Sequence, residues 1–146
     1  MNHADQPTAS RRKIMKRRLP TSVIKKTLLL ALLLLTGSAW AEWVRVGESK
    51  NYYQYIDPAT IRKDGNLVRV WEISDLKTRS TDGDLSRRIR YEYDCKQERI
   101  KLLSFSTHSG PMANGTTLLS DSSDGEWLHI PPGSIGESVL KIVCAK

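Results

Sequence analysis

The chain has 146 residues, 23 of them Lys or Arg and 16 Asp or Glu, for a formal net charge of +7. Eight of the basic residues (Arg11, Arg12, Lys13, Lys16, Arg17, Arg18, Lys25, Lys26) and a single acid, Asp5, precede Ala41, which leaves fifteen of each sign from Glu42 onward. A nucleic-acid or other polyanion surface driven by bulk charge is therefore excluded for the rest of the chain, and the length excludes a multidomain enzyme.

Leu28–Leu35 is an unbroken apolar run, preceded by Lys25-Lys26 and followed by Gly37-Ser38-Ala39-Trp40-Ala41. A basic stretch, a short apolar stretch and Ala39-x-Ala41 predict a Sec-type signal peptide over residues 1–41, cleaved between Ala41 and Glu42. The run is too short for a spanning helix, which needs about 20 apolar residues. Ser10-Arg11-Arg12-Lys13-Ile14-Met15-Lys16 resembles a twin-arginine motif but is separated by ten residues from the hydrophobic run at Thr27, and Met15 is a plausible true start. No cysteine stands near the junction for lipid attachment. The expected product is a soluble exported domain over residues 42–146, in the periplasm first, with the cell surface or the medium as further destinations.

Both cysteines, Cys95 and Cys144, fall in that domain. An even count in a small exported domain predicts a disulfide, since the spacing matches no metal-binding pattern. Closing so long a loop stabilises by roughly 4 kcal/mol on the chain-entropy model.

In chain order, residues 42–46 and the aromatic run 51–56 read as strands, ended by Asp57-Pro58 because proline lacks a ladder donor. Residues 61–63 and 67–73 read as a hairpin around Asp64-Gly65-Asn66. Residues 87–95 form the clearest strand. Ile89, Tyr91, Tyr93 and Cys95 share one face and Arg88, Arg90, Glu92 and Asp94 the other. A tight connection returns the chain through a strand at 99–106. A polar connection follows over 108–126, with a short strand at 116–119. Ser134-x-x-Glu137 is a capping box, and Ile135, Val139, Ile142 and Val143 recur at helical spacing beside Cys144. The expected fold is α+β: an antiparallel meander of five or six strands, with a C-terminal helix packed on one face and pinned by the disulfide.

Several segments in this order carry a family resemblance. They are Trp43; Tyr55-Ile56-Asp57 with Ile61; Gly65; Val70-Trp71; Tyr91-Glu92-Tyr93-Asp94-Cys95; and Trp127-x-x-Ile130-Pro131-Pro132-Gly133-Ser134 before the last cysteine. Together they resemble the bacterial surface-adhesin protein E family over nearly all of Trp43–Cys144. The resemblance implies a small antiparallel sheet with a C-terminal helix and a disulfide. It also implies a role in binding host matrix and serum glycoproteins. No ligand-binding residue is carried over from it.

The residues offer little catalytic chemistry. His108 and His129 lie in separate segments without a Gly-x-Ser-x-Gly elbow or further ligands at zinc spacing. The acidic turn at 121–126 departs from the EF-hand pattern. No enzyme activity, cofactor or metal is expected. Arg87, Arg88 and Arg90, near Arg99 and Lys101, form a basic cluster that either contacts a partner or pairs across strands with Glu92, Asp94 and Glu98. Tyr52, Tyr53 and Tyr55, with Trp43, offer either an aromatic contact surface or core. The expected function is an exported binding domain for a protein or glycoconjugate partner, with a periplasmic assembly accessory as the alternative.

Overall fold

In the computed structural model the described residues are 42–122 and 124–145. The export signal expected over residues 1–41, including Ala41 on the near side of the cleavage junction, lies outside them.

Three long strands form the centre of an antiparallel sheet: β4 (Leu67–Leu76), β5 (Ser86–Asp94) and β6 (Arg99–His108). Each outer edge of this trio is covered by two shorter strands in succession. On one side β2 (Tyr52–Ile56) and β3 (Arg62–Asp64) share the edge of β4, and β1 (Val44–Glu48) pairs beyond β2. On the other, β7 (Thr117–Asp121) and β8 (Trp127–His129) share the edge of β6. The path β1-β2-β4-β5-β6-β7 is the expected six-strand meander, with β3 and β8 added beside it. The sequence reading had no strand at β8, whose three residues pair with a strand more than twenty positions away.

The two breaks have local causes. Between β2 and β3, Asp57 caps a 3₁₀ turn over Pro58–Thr60, its carboxylate accepting from the Ala59 amide at 3.0 Å. The β3–β4 hairpin turns on Gly65, whose φ of +57° costs an L side chain energy. Between β7 and β8 the Gly125 amide donates to the Leu102 carbonyl at 3.0 Å, and a Cβ on Gly125 would sit 2.9 Å from that oxygen. This contact lies at a bulge in β6. Arg90 faces Ser104 and Tyr91 faces Leu102, so Leu103 is the extra residue.

The helix α1 (Ile135–Val143) packs on one sheet face. Ser134 caps it, its hydroxyl accepting from the Glu137 amide at 3.2 Å. The Glu137 carboxylate reaches back to the Gly133 amide (2.7 Å), one residue before the position the capping box predicts. Val139, Leu140 and Val143 are the buried residues of α1, and they join Ile56, Val68, Val70, Tyr93 and Ile130 in the core. Ile142, expected on that face, is 45 % exposed; Leu140 takes its place. Each of these buried aliphatic side chains contributes roughly 1.5–3 kcal/mol. Cys95 and Cys144 are bonded, with Cα atoms 5.7 Å apart, which ties the C-terminal end of α1 to the β5–β6 turn. No helix among the described residues is long and apolar enough to cross a membrane.

Candidate functional site

The two sheet faces carry different chemistry. Beneath α1, next to the apolar core, lies a polar chain in which the Ser74 hydroxyl donates to Gln54 (2.8 Å), the Gln54 amide to Glu72 (2.5 Å) and the Tyr93 hydroxyl to Glu72 (2.5 Å). Burial pushes the Glu72 carboxyl up to about 7, against the opposing effect of the two hydrogen bonds it accepts. The Tyr93 hydroxyl is raised as well, by burial and then by the neighbouring Glu72.

Beyond the end of α1 the same face opens into a cleft of about 560 Å³, floored by Ile89, Tyr91, Leu102 and Phe105. Two of its three rim charges neutralise each other. Arg87 donates to Asp84 at 2.8 Å, and Ser80 also donates to that carboxylate. Burial opposes the charge on Asp84, but these hydrogen bonds outweigh it and hold the carboxyl below its ordinary range. The cleft joins an apolar floor to a rim on which Asp82 alone among the charged groups makes no ion pair with the described residues.

On the open face, cross-strand register lines up Tyr55, Ile73, Arg88, Ser106 and Ser120 in one row. Trp71, Arg90 and Ser104 make the next row, and Arg69, Glu92, Lys101 and Trp127 the third. The β6 bulge makes this possible, because it lets Lys101 and Ser104 point the same way.

Trp71 is the centre of this surface. Its amide donates to the Thr60 hydroxyl (3.1 Å) and its carbonyl accepts from the Asp57 amide (3.0 Å), so both of its backbone groups turn toward the β2–β3 break. Trp71 and Arg90 are therefore a non-hydrogen-bonded pair across β4 and β5, the register in which side chains approach most closely. The Arg88 guanidinium lies 4.4 Å and that of Arg90 5.9 Å from the indole ring. Neither arginine makes an ion pair or side-chain hydrogen bond among the described residues.

Three neighbouring cations of this face are paired with carboxylates. Arg69 meets Glu92 at 2.7 Å, Lys101 meets Glu92 at 3.4 Å and Asp124 at 2.8 Å, and Arg99 meets Asp94 at 3.0 Å. Asp94 also accepts from the Lys96 and Gln97 amides, which shapes the β5–β6 turn. Arg45 and Lys77 stack on Tyr53, 4.1 and 4.6 Å from its ring. Asp124, from the acidic turn, is thus committed to Lys101, and no group of three or more His, Cys, Asp and Glu among the described residues is arranged to hold a metal.

The far end of the open face is closed by the segment after β6. The Met112 amide donates to Asp75 (2.7 Å) and the Ala113 amide to the Ser86 hydroxyl (2.8 Å), with both residues at positive φ (51° and 58°). Such backbone is held in place by the bonds around it. His108, buried beside this segment, shares a hydrogen bond with Ser106 (2.9 Å). Burial and the charge of Arg88 keep its imidazole below its usual range.

The structure divides the residues that sequence reading grouped. Arg88, Arg90, Tyr53 and Tyr55 lie on the open face. Arg87 lines the cleft on the opposite face and is paired to Asp84. Tyr52 likewise turns to the helix side, beside Gln54 and Glu72. Strand alternation accounts for both departures: Arg87 shares the parity of Ile89, and Tyr52 that of Gln54. Trp71 was missed as a site residue, although its alternation with Val70 and Glu72 assigns it to the face opposite the core valines.

Comparison with known proteins agrees with this architecture. The family model for surface-adhesin protein E matches residues 43–145. The chain belongs to the surface-adhesin protein E family. Among solved structures it is similar to Haemophilus influenzae protein E in several crystals. One match has 16 % identity and a TM-score of 0.56, covering 73 % of this chain and 90 % of that one. The selenomethionine form gives 15 % identity and a TM-score of 0.59, covering 73 % and 88 %. Protein E from a non-typeable strain gives 16 % and 0.54, covering 75 % and 78 %. At these identities the structures share the fold alone. Comparison with curated proteins gave no match.

Proposed function

We propose that this chain is a non-enzymatic, adhesin-type binding domain, exported by the signal over residues 1–41, that engages a protein or glycoconjugate partner through the open face of its sheet. Family membership supports the adhesin class. The observation that carries the choice of face is the pair Arg88 and Arg90, stacked on Trp71 without a carboxylate partner among the described residues. Two uncompensated guanidiniums beside an indole are the kind of group that dominates binding energy at interfaces.

The test is attachment of the purified protein to immobilised matrix proteins and to envelope fractions, comparing wild type with Arg88→Gln/Arg90→Gln. The variant is expected to lose most attachment while melting as the wild type does. Undiminished attachment would remove the open face from the account. Loss of one co-purifying envelope protein, with no matrix binding at the outset, would turn the reading to an assembly accessory. Mass spectrometry of the mature N-terminus is expected to give Glu42; an uncleaved chain would contradict the export signal.

A further inference from the structure

The partner's chemistry follows from what surrounds Trp71. The indole stands between two hollows on the open face. One, of about 350 Å³, is lined by Ser104, Ser106, Ser120 and Ser122, together with Phe105 and Asp121, a register pair that alternates to the opposite face. The other, of about 200 Å³, is lined by Thr60, Arg62 and Arg90. The Arg62 guanidinium is bound to the Ala59 and Ile61 carbonyls, both at 2.9 Å, and meets no carboxylate among the described residues.

From these groups we infer that the open face binds an acidic saccharide, one sugar ring packing its apolar face on Trp71 with hydroxyls in the serine-lined hollow and a sulfate or carboxylate on Arg88 and Arg90. This deepens the proposed binding function and rests on it. Each part of the surface answers a part of such a ligand. Serine hydroxyls donate and accept, as sugar hydroxyls require. Guanidinium groups fit sulfate and carboxylate oxygens in a two-pronged geometry. Arg88 and Arg90 stand two residues apart on one strand side, roughly 7 Å, so they engage neighbouring substituents rather than a single one.

The same features disfavour the other polyanions. The neighbouring cations Arg69, Arg99 and Lys101 are spent on Glu92, Asp94 and Asp124, so no continuous basic track crosses the face for a uniformly charged strand. With equal numbers of acidic and basic residues from Glu42 onward, no strong overall field gathers polyanions, so recognition depends on local fit.

The experiment uses the protein as the cell produces it. A heparin hexasaccharide, carrying sulfate and carboxylate, is titrated by calorimetry beside maltohexaose as the neutral sugar and hexameric polyphosphate as the charge without a sugar. Nitrogen-15 NMR follows the Trp71 indole and the Arg88 and Arg90 side chains. The expected result is binding of the hexasaccharide alone, with shifts at those three residues. Arg88→Gln/Arg90→Gln should lower affinity roughly ten- to a hundredfold. Trp71→Phe, which keeps an aromatic ring in place, should weaken it less. Equal binding of polyphosphate would overturn the saccharide assignment, as would shifts confined to residues away from Trp71. Attachment lost in the double variant while no hexasaccharide binds would refute the saccharide and leave the binding face standing. Attachment kept in that variant would remove both.

Discussion

The two faces of the sheet use charge in opposite ways. On the helix side the buried charged groups are answered or neutralised: Glu72 is held by Tyr93 and Gln54, and Asp84 is met by Arg87. On the open side Glu92, Asp94 and Asp124 answer Arg69, Lys101 and Arg99, but Arg88 and Arg90 are left to Trp71. The first arrangement suits a face that holds the fold together. The second keeps cations in place for something outside the chain. If this division is right, substitutions on the helix side cost stability, and those around Trp71 cost binding.

The sharpest way to strain the division is at the disulfide. Cys144→Ser frees α1 from the β5–β6 turn, and the loss of roughly 4 kcal/mol is expected to lower the melting temperature by more than about 10 °C. Calorimetry checks this, and equal melting of oxidised and reduced protein would contradict it. Leu140→Ala, which empties part of the α1 contact, is expected to cost about 2–4 kcal/mol in urea unfolding.

Glu72 gives the helix side a pH dependence. Its carboxyl titrates near 7 when folded and near 4.5 when unfolded. Between those values the folded state keeps a proton that the unfolded state has released, so stability falls as pH rises from about 4.5 through 7. The full loss is on the order of 3 kcal/mol. Glu72→Gln is expected to flatten this slope in urea titrations at pH 5 and 8. Smallest of all, Arg88→Gln/Arg90→Gln should change stability by no more than about 0.5 kcal/mol.

Much of this was legible in the sequence. The alternation of Ile89, Tyr91, Tyr93 and Cys95 against Arg88, Arg90, Glu92 and Asp94 fixed the faces of β5, and the cysteines tied that strand to a helix begun at Ser134. The strand 67–76 was harder to read because it inverts the usual rule. Glu72 is buried on the helix side, while Trp71 and a fully buried Ile73 lie on the opposite one, so apolarity alone does not say which way it faces. Ile142 was misplaced because apolar spacing does not specify the centre of the helix stripe. The second strand on each edge depends on pairing over distance, and the β6 bulge breaks the period of two that sequence reading relies on.

The central claim is that binding belongs to the open face and stability to the helix face. Its most direct test measures both properties on one variant, Arg88→Gln/Arg90→Gln, by melting and by attachment to the immobilised partner. Unchanged melting with attachment reduced at least tenfold is the predicted result. Unchanged attachment, or attachment lost only along with stability, would contradict it.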